Sequence, residues 1–540
     1  VTASGQLSTT EGSAWWRSAA IYQVYIRSFA DGNGDGVGDL TGVRSKLDYL
    51  AELGVDAIWF TPWYPSPMDD GGYDVADFRD IEPLFGTLGE AEQLLTEAHE
   101  LGIRVIIDIV PNHCSDEHRW FRAALAAAPG SAERQRFWFR PGRGPDGSAP
   151  PNNWKSRFGG PAWTRVTEAD GAPGEWYLHL YSSRQPDFNW DNQDIRAEFE
   201  DVLRFWFDRG VDGFRIDVAD GLVKDPALPD VEDGDETPFS DQEGLHEIYR
   251  SWRKIADSYP GEKILVGEMW LPDMSKAARY LRRDELHSAF NFDFLTCPWD
   301  PGRFRDVISR TLRAHEEVGA PAAWVLSNHD VTRHVTRYGR SGDTGFAFAD
   351  RLHGTPVDRV LGTRRARAAA LLTLSLPGGL YVYQGEELGL WEVEDIPSGL
   401  RQDPVWARTE GADPGRDGCR VPIPWSGRSS PFGFGAAEPW LPQPAEWVSY
   451  TAEAEAGDPD SMLSLYRRGL ALRSSLGEPA VSWLDAGPDV LAFSRAPGFV
   501  FLLNFSASPV ELPAHAEVLL ASGPLPDGLL PTDTAVWLRS

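Results

Sequence analysis

Cysteine is scarce in this chain. The three present, Cys114, Cys297 and Cys419, are scattered and odd in number, which excludes a disulfide framework and matches no zinc-ligand spacing. Reduced thiols in a cytoplasm are the simplest reading. Positive charge is also in short supply, since 51 Lys and Arg face 81 Asp and Glu for a formal net charge of −30. Nucleic-acid binding needs a cationic surface to release counterions from phosphates, so no nucleic-acid partner is expected. No window holds 18 uninterrupted apolar residues, and the opening "VTASGQLSTTEGSAWW" has neither the basic segment nor the apolar run of a signal peptide. No membrane span is expected, and a leader removed before Val1 stays open.

Core-forming residues are plentiful: 42% of the 540 residues are hydrophobic and 12% aromatic, enough for a large buried interior divided among several domains. Short β-branched or aromatic runs alternate with amphipathic stretches, the pattern of parallel strands joined by helices. The candidate strands lie at 21–29, 55–62, 103–110, 211–219, 263–270, 288–294, 322–330 and 378–387. Intervening helical patterns such as "TGVRSKLDYLAELG", "LGEAEQLLTEAHELG" and "IRAEFEDVLRFWFDRG" each close on a glycine suited to a helix C-terminus. Eight such strands predict an α/β fold, a (β/α)8 TIM barrel.

Two intervals are too long for ordinary loops. Residues 114–187 read as a subdomain inserted after the third strand, and about 388–450 as an irregular insertion after the eighth. The barrel would then occupy 1–113 and 188–460, and alternating runs after a helix near 461–475 predict a C-terminal antiparallel β-domain over 461–540.

Polar residues gather at the expected C-terminal ends of these strands: Asp108 and His113, Arg215 and Asp217, Glu268, and His329 with Asp330. In a barrel these ends share one bowl. "FRID" could simply bury an ion pair of Arg215 with Asp217 or Asp108. Three carboxylates at strand ends, Asp217, Glu268 and Asp330, call for more than that. Two carboxyl groups across a small bowl suit glycosidic cleavage, one attacking the anomeric carbon and the other protonating the departing oxygen. Arg215 shares a strand face with Asp217 and would keep it ionised. Trp270 and Met269 could give Glu268 a drier setting.

"DIVPNH" (108–113), "QPDFNW" (185–190), "GFRIDVAD" (213–220), "GEMW" (267–270) and "LSNHD" (326–330) resemble, in order, the motifs of the α-amylase superfamily (glycoside hydrolase family 13). They are most similar to its α-glucosidase and oligo-1,6-glucosidase branch, from about residue 16 to the end. The resemblance implies a retaining mechanism with Asp217 as nucleophile, Glu268 as general acid and base, and Asp330 gripping sugar hydroxyls. It places Arg215, His113 and His329 around the same glucose; His113 could instead be a histidine bonded within the barrel rim. "GGYDVADF" (71–78) and "DGCRVPIPW" (417–425) resemble further elements of that branch, implying that Tyr73 stacks on the non-reducing glucose and that Asp74 pairs with Arg420 beyond it. Such a cap implies exo-action on a small oligosaccharide or α-glucoside. Val218 leans toward α-1,6 links, and Asp220 departs from the histidine frequent there. A glucosyl transferase or sugar isomerase would share the same intermediate. A binding protein of glucosidase-like fold would be expected to lose the three carboxylates, which this chain keeps.

"DGNGDGVGDL" (31–40) places Asp31, Asn33, Asp35 and Asp39 among four glycines. An EF-hand needs a bidentate Glu at its twelfth position, here Gly42, so no calcium switch is expected. The remaining donors, with the Val37 carbonyl, suit a hard cation, and the resembling branch has a metal loop after its first strand. A structural Ca2+ clip is expected there, with Mg2+ the other candidate; no organic cofactor is.

Overall fold

A computed structural model describes residues 14–232, 237–271, 273–340, 352–476, 480–495 and 498–540. Most of the stretch read for a leader lies outside them. The runs expected as strands are apolar on both faces because each is covered on both sides. Ala57–Phe60, Gly213–Ile216, Ile264–Gly267 and Gly379–Tyr383 are buried at every position.

The barrel strands are β1 Ala20–Val24, β2 Ala57–Phe60, β3 Arg104–Ile109, β4 Gly213–Ile216, β5 Ile264–Gly267, β6 Ser288–Ala289, β7 Ala323–Val325 and β8 Gly379–Tyr383. They form one sheet in the order β7-β8-β1-β2-β3-β4-β5-β6. All seven pairings are parallel. The sheet curls into a nearly closed barrel, with only the β6–β7 ladder missing among the described residues.

Helices over Leu47–Leu53, Leu88–Glu100 and Gln193–Phe207 follow the periodic segments, and the glycines expected to stop them, Gly54, Gly102 and Gly210, have φ of 91°, 79° and 100°. A side chain is disfavoured in that left-handed region.

All eight strands are shorter than the runs that suggest them. The run at 288–294 pairs only at Ser288–Ala289, because the Asn291 side chain accepts from the Phe294 amide and starts a short helix, Phe292–Leu295. The run at 322–330 stops at Val325, and Asn328 Oδ1 accepts from Asp330 N at 2.9 Å, turning the chain over the rim. After β1 the chain enters a 3-10 turn, Ile26–Ser28. At the ends of β6 and β7, side chain to backbone bonds outcompete the ladder.

Within 114–187, strands Phe139–Arg140, Trp163–Thr167 and Pro173–Leu178 make a small antiparallel sheet. Its own core of Trp138, Trp154, Trp163 and Leu178 also takes in Leu228 and Phe239 from the chain after β4. A five-stranded antiparallel sheet closes the chain at its C-terminus. It is led by the helix Met462–Arg473 and docked on the barrel helix Arg359–Ser375, where Trp537 Nε1 donates to Leu371 O at 3.1 Å.

Candidate active site

β3 and β4 run side by side with Asp108 opposite Arg215, and β4 continues into Asp217. Alternation along the strand sends Arg215 and Asp217 to the same side. The buried Arg215 donates through Nη1 to Asp108 Oδ1 (2.9 Å) and Asp217 Oδ1 (2.8 Å), while its Nη2 lies 2.7 Å from Glu268 Oε2 at the end of β5. One guanidinium thus holds three carboxylates. Glu268 also accepts from Trp270 Nε1 (3.1 Å) and from the Val218 amide (3.2 Å). Trp270 stacks on Phe292, with ring centroids 3.6 Å apart.

Burial pushes Asp108 up to about 7 against the pull of Arg215. It pushes Asp217 up as well, with Arg215 opposing and the charges of Glu268, Asp108 and Asp330 adding to the rise. Asp108 and Asp217, held by one cation, are thus both raised, each by its own burial and by the charge of its acidic neighbours.

Asp330 lies in a different field. Burial would raise it, but His329, Arg416, Arg420 and Arg215 more than offset this and hold it below the usual carboxylate range. Arg416 Nη1 and Arg420 Nη2 each stand 3.1 Å from its Oδ1, and His329 Nε2 stands 3.2 Å from Oδ2. Burial and the nearby arginines lower the His329 pKa in turn, with Asp330 opposing. Tyr73 stacks on it at 5.3 Å and 4°, and the Tyr73 hydroxyl donates to Asp108 Oδ2 at 2.9 Å. Two left-handed glycines deliver Tyr73; at Gly72 (φ 108°) a Cβ would sit 3.0 Å from Pro62 O. His113, lowered by burial to about 4, contacts Asn112 at 3.0 Å and Gln185 at 3.2 Å.

The expected pairing of Asp74 with Arg420 is corrected by the structure. Asp74 is fully buried and accepts from the Ser66 hydroxyl and from the amides of Asp69 and Asp70, so its carboxylate is spent on the turn that carries Tyr73. Arg420 turns instead to Asp330 and to the His329 carbonyl, at 3.1 and 2.8 Å. The ion pair across the bowl joins Asp70 and Arg416 at 2.6 Å, with Asp403 holding the Arg416 Nε at 2.5 Å. "MDDGGYD" offers three carboxylates and "GRDGCR" two arginines, and the members that meet across the bowl are Asp70 and Arg416 rather than Asp74 and Arg420. Also unforeseen is buried Lys224, whose Nζ lies 2.8 Å from Asp187 and 2.6 Å from Asn112. It ties the "QPDFNW" and "PNH" segments to the turn after β4.

A cavity of about 600 Å³ opens above these groups, lined among others by Asp70, Tyr73, His113, Asp217, Glu268, Asp330 and Arg416. Arg215, Asp74 and Arg420 lie behind its wall.

The glycine-rich loop after β1 is folded on itself. Asp39 caps the helix Leu40–Arg44, accepting from Gly42 N at 2.6 Å and from the Gly32 and Asn33 amides at 3.0 and 2.9 Å. Asp31 accepts from Gly34 and Gly36, and Asp35 from Val37. The loop also grips the post-β8 insertion, through Asp31 N to Phe434 O (2.8 Å) and Trp440 N to Gly36 O (3.0 Å). Among the described residues no three His, Cys, Asp or Glu side chains converge as a metal cluster, yet the loop's oxygen donors have the chemistry a hard cation takes.

The barrel and the carboxylates ringed about one arginine at its C-terminal face define a class, the α-amylase type of glycoside hydrolase. The α-amylase catalytic domain profile matches residues 23–479, and the chain belongs to that family. It is 37% identical over 530 residues to a probable α-glucosidase of Rhizobium meliloti, covering 92% of this chain and 91% of the relative. It is 34% identical to the oligo-1,6-glucosidase of Parageobacillus thermoglucosidasius (93% and 92% covered) and 36% identical to the trehalose-6-phosphate hydrolase of Escherichia coli (87% and 85%). Among solved structures it superposes on an α-glucosyl transfer enzyme with TM-score 0.84 at 34% identity, over 98% of this chain and 99% of that one. A trehalulose synthase matches with TM-score 0.85 at 30%, over 98% and 100%.

Proposed function

We propose that the protein is a retaining, exo-acting α-glucosidase that releases glucose from the non-reducing end of short α-glucosides. The observation that carries this is the engagement of Asp217 and Glu268 by the two ends of one guanidinium, at 2.8 and 2.7 Å. It holds the carboxyls close, as a retaining pair requires at roughly 5–5.5 Å, rather than at the about 6.5–9.5 Å that admits an inverting water.

In the first step Asp217 attacks the anomeric carbon while Glu268, as the general acid, protonates the departing oxygen. In the second, Glu268 takes a proton from water as that water displaces Asp217. Asp330 accepts from sugar hydroxyls as an anion. Tyr73 and His329 form an aromatic floor, and His113 donates or accepts at the rim. The Asp70–Arg416 pair closes the far end of the bowl, which favours one glucose per event. Asp217→Asn should lower kcat/KM at least about a thousandfold with the fold intact; activity within tenfold of wild type would remove Asp217 from the nucleophile role.

Glucosyl transfer or isomerisation is the second reading, because the same intermediate can be taken by a sugar hydroxyl. The similarity to an α-glucosyl transfer enzyme and a trehalulose synthase favours keeping it open.

The loop Asp31, Asn33, Asp35, Val37 carbonyl and Asp39 would hold a structural Ca2+ or Mg2+, which would supply stiffness to the rim and no chemistry. No helix among the described residues is long and apolar enough to cross a membrane. All three cysteines are buried thiols, which suits a cytoplasmic location.

A further inference from the structure

The mechanism above uses the acids gathered round Arg215 and Arg416 but leaves one in the same cavity unused. Directly after Asp217, Val218 has φ 47°, a left-handed conformation that costs a β-branched residue and persists where the surroundings impose it. The Gly221 amide donates to Val218 O at 2.9 Å and closes a tight turn. That turn throws Asp220, 7% exposed, into the cavity wall. Its Oδ2 accepts from the Ser240 hydroxyl. Burial raises its pKa, while that hydroxyl and the charge of Arg157 oppose the rise.

The position of the turn fixes which part of a substrate Asp220 meets. The Val218 amide donates to Glu268 Oε2, so the turn lies beside the acid that protonates the leaving group. The closed end, with Asp70, Tyr73 and Arg416, belongs to the glucose. Facing the turn, Arg157 also lines the cavity; its guanidinium lies 5.5 Å from the centroid of Phe239 and forms no ion pair among the described residues. A buried anionic acceptor and an exposed cationic donor therefore flank the space where the aglycone must sit.

Resting on the α-glucosidase reading, we propose that Asp220 is the specificity-determining residue of the leaving-group side, selecting neutral polyhydroxylated aglycones and rejecting those that carry a phosphate. Sugar hydroxyls donate to its carboxylate, and such a charge-assisted bond is worth about 10- to 100-fold in kcat/KM. A phosphate dianion offers it no proton and meets like charge in a desolvated wall. Arg157 alone would welcome that phosphate; Asp220 cancels the attraction.

The test compares maltose, isomaltose, trehalose, trehalose 6-phosphate and p-nitrophenyl α-glucoside, whose aglycone has no hydroxyl to donate. In Asp220→Asn the kcat/KM for the disaccharides should fall at least tenfold more than for the aryl glucoside. The ratio of trehalose 6-phosphate to trehalose should rise at least tenfold. That rise should disappear in the Asp220→Asn, Arg157→Gln double variant, and Arg157 is exposed enough that its replacement leaves the fold alone. A parallel fall on aryl and disaccharide substrates would show that Asp220 acts through Glu268 or the fold and overturn the proposal. So would an unchanged phosphate ratio. A wild-type protein inert toward the aryl glucoside would overturn the glucosidase reading itself.

Discussion

Replacing Glu386 by glutamine should make the protein more stable in alkali and change little in acid. Glu386 follows β8 and is 2% exposed; its Oε1 accepts from the Tyr466 hydroxyl at 2.6 Å, while its Oε2 has no hydrogen-bond partner. Burial pushes its pKa from 4.5 to about 8, Tyr466 opposing and the neighbouring Glu387 adding to the rise. An acid raised in this way keeps a proton in the folded state that the unfolded chain has already released. Its contribution is therefore greatest below the unfolded value, declines as pH rises through the window from 4.5 to about 8, and then levels off. Carried across that window, the carboxyl costs of order 5 kcal/mol. Glutamine keeps the shape and the acceptor for Tyr466 but does not titrate. Thermal midpoints read by differential scanning calorimetry should agree within about 1 °C at pH 5, and the variant should melt roughly 5 °C higher at pH 8.5. Parallel wild-type and variant curves across that range would refute the reasoning.

Two further outcomes follow from the site and the loop. Asp70→Asn leaves Arg416 held by Asp403 and Asp330, so the fold should stand while kcat/KM for maltose falls about 10- to 100-fold through loss of one charged grip on the glucose; steady-state kinetics check this, and an unchanged value would remove the charged cap from the account. Adding Ca2+ to chelator-treated protein should raise its thermal midpoint by several degrees while altering the rate at low temperature by less than twofold. Identical midpoints with and without the ion would remove the metal from the loop.

Much of the barrel was legible because burial on both faces leaves apolar runs with little else in them, and because Gly54, Gly102 and Gly210 punctuate the helices. The acids at the strand ends stood out for the opposite reason, as charges where apolar residues are the rule. Strand ends were less legible: Asn291 and Asn328 spend their side chains on local backbone amides, and nothing in periodicity reports which bond wins. The capping pair was misassigned because "DDGGYD" holds three carboxylates within six residues, and only the turn decides which faces the bowl. Asp74 is consumed by that turn and Asp70 is released. Lys224 carried no pattern of its own, since its partners Asn112 and Asp187 lie far away in sequence.

The central claim is that Asp217 and Glu268 form a retaining pair that delivers glucose to water. Proton NMR of the first turnovers on maltose and isomaltose tests it most directly. The account predicts that α-glucose appears first at the cleaved end and only later mutarotates to the β anomer. Initial β-glucose would contradict the retaining pair, and new glucosidic linkages forming in excess of free glucose would contradict hydrolysis.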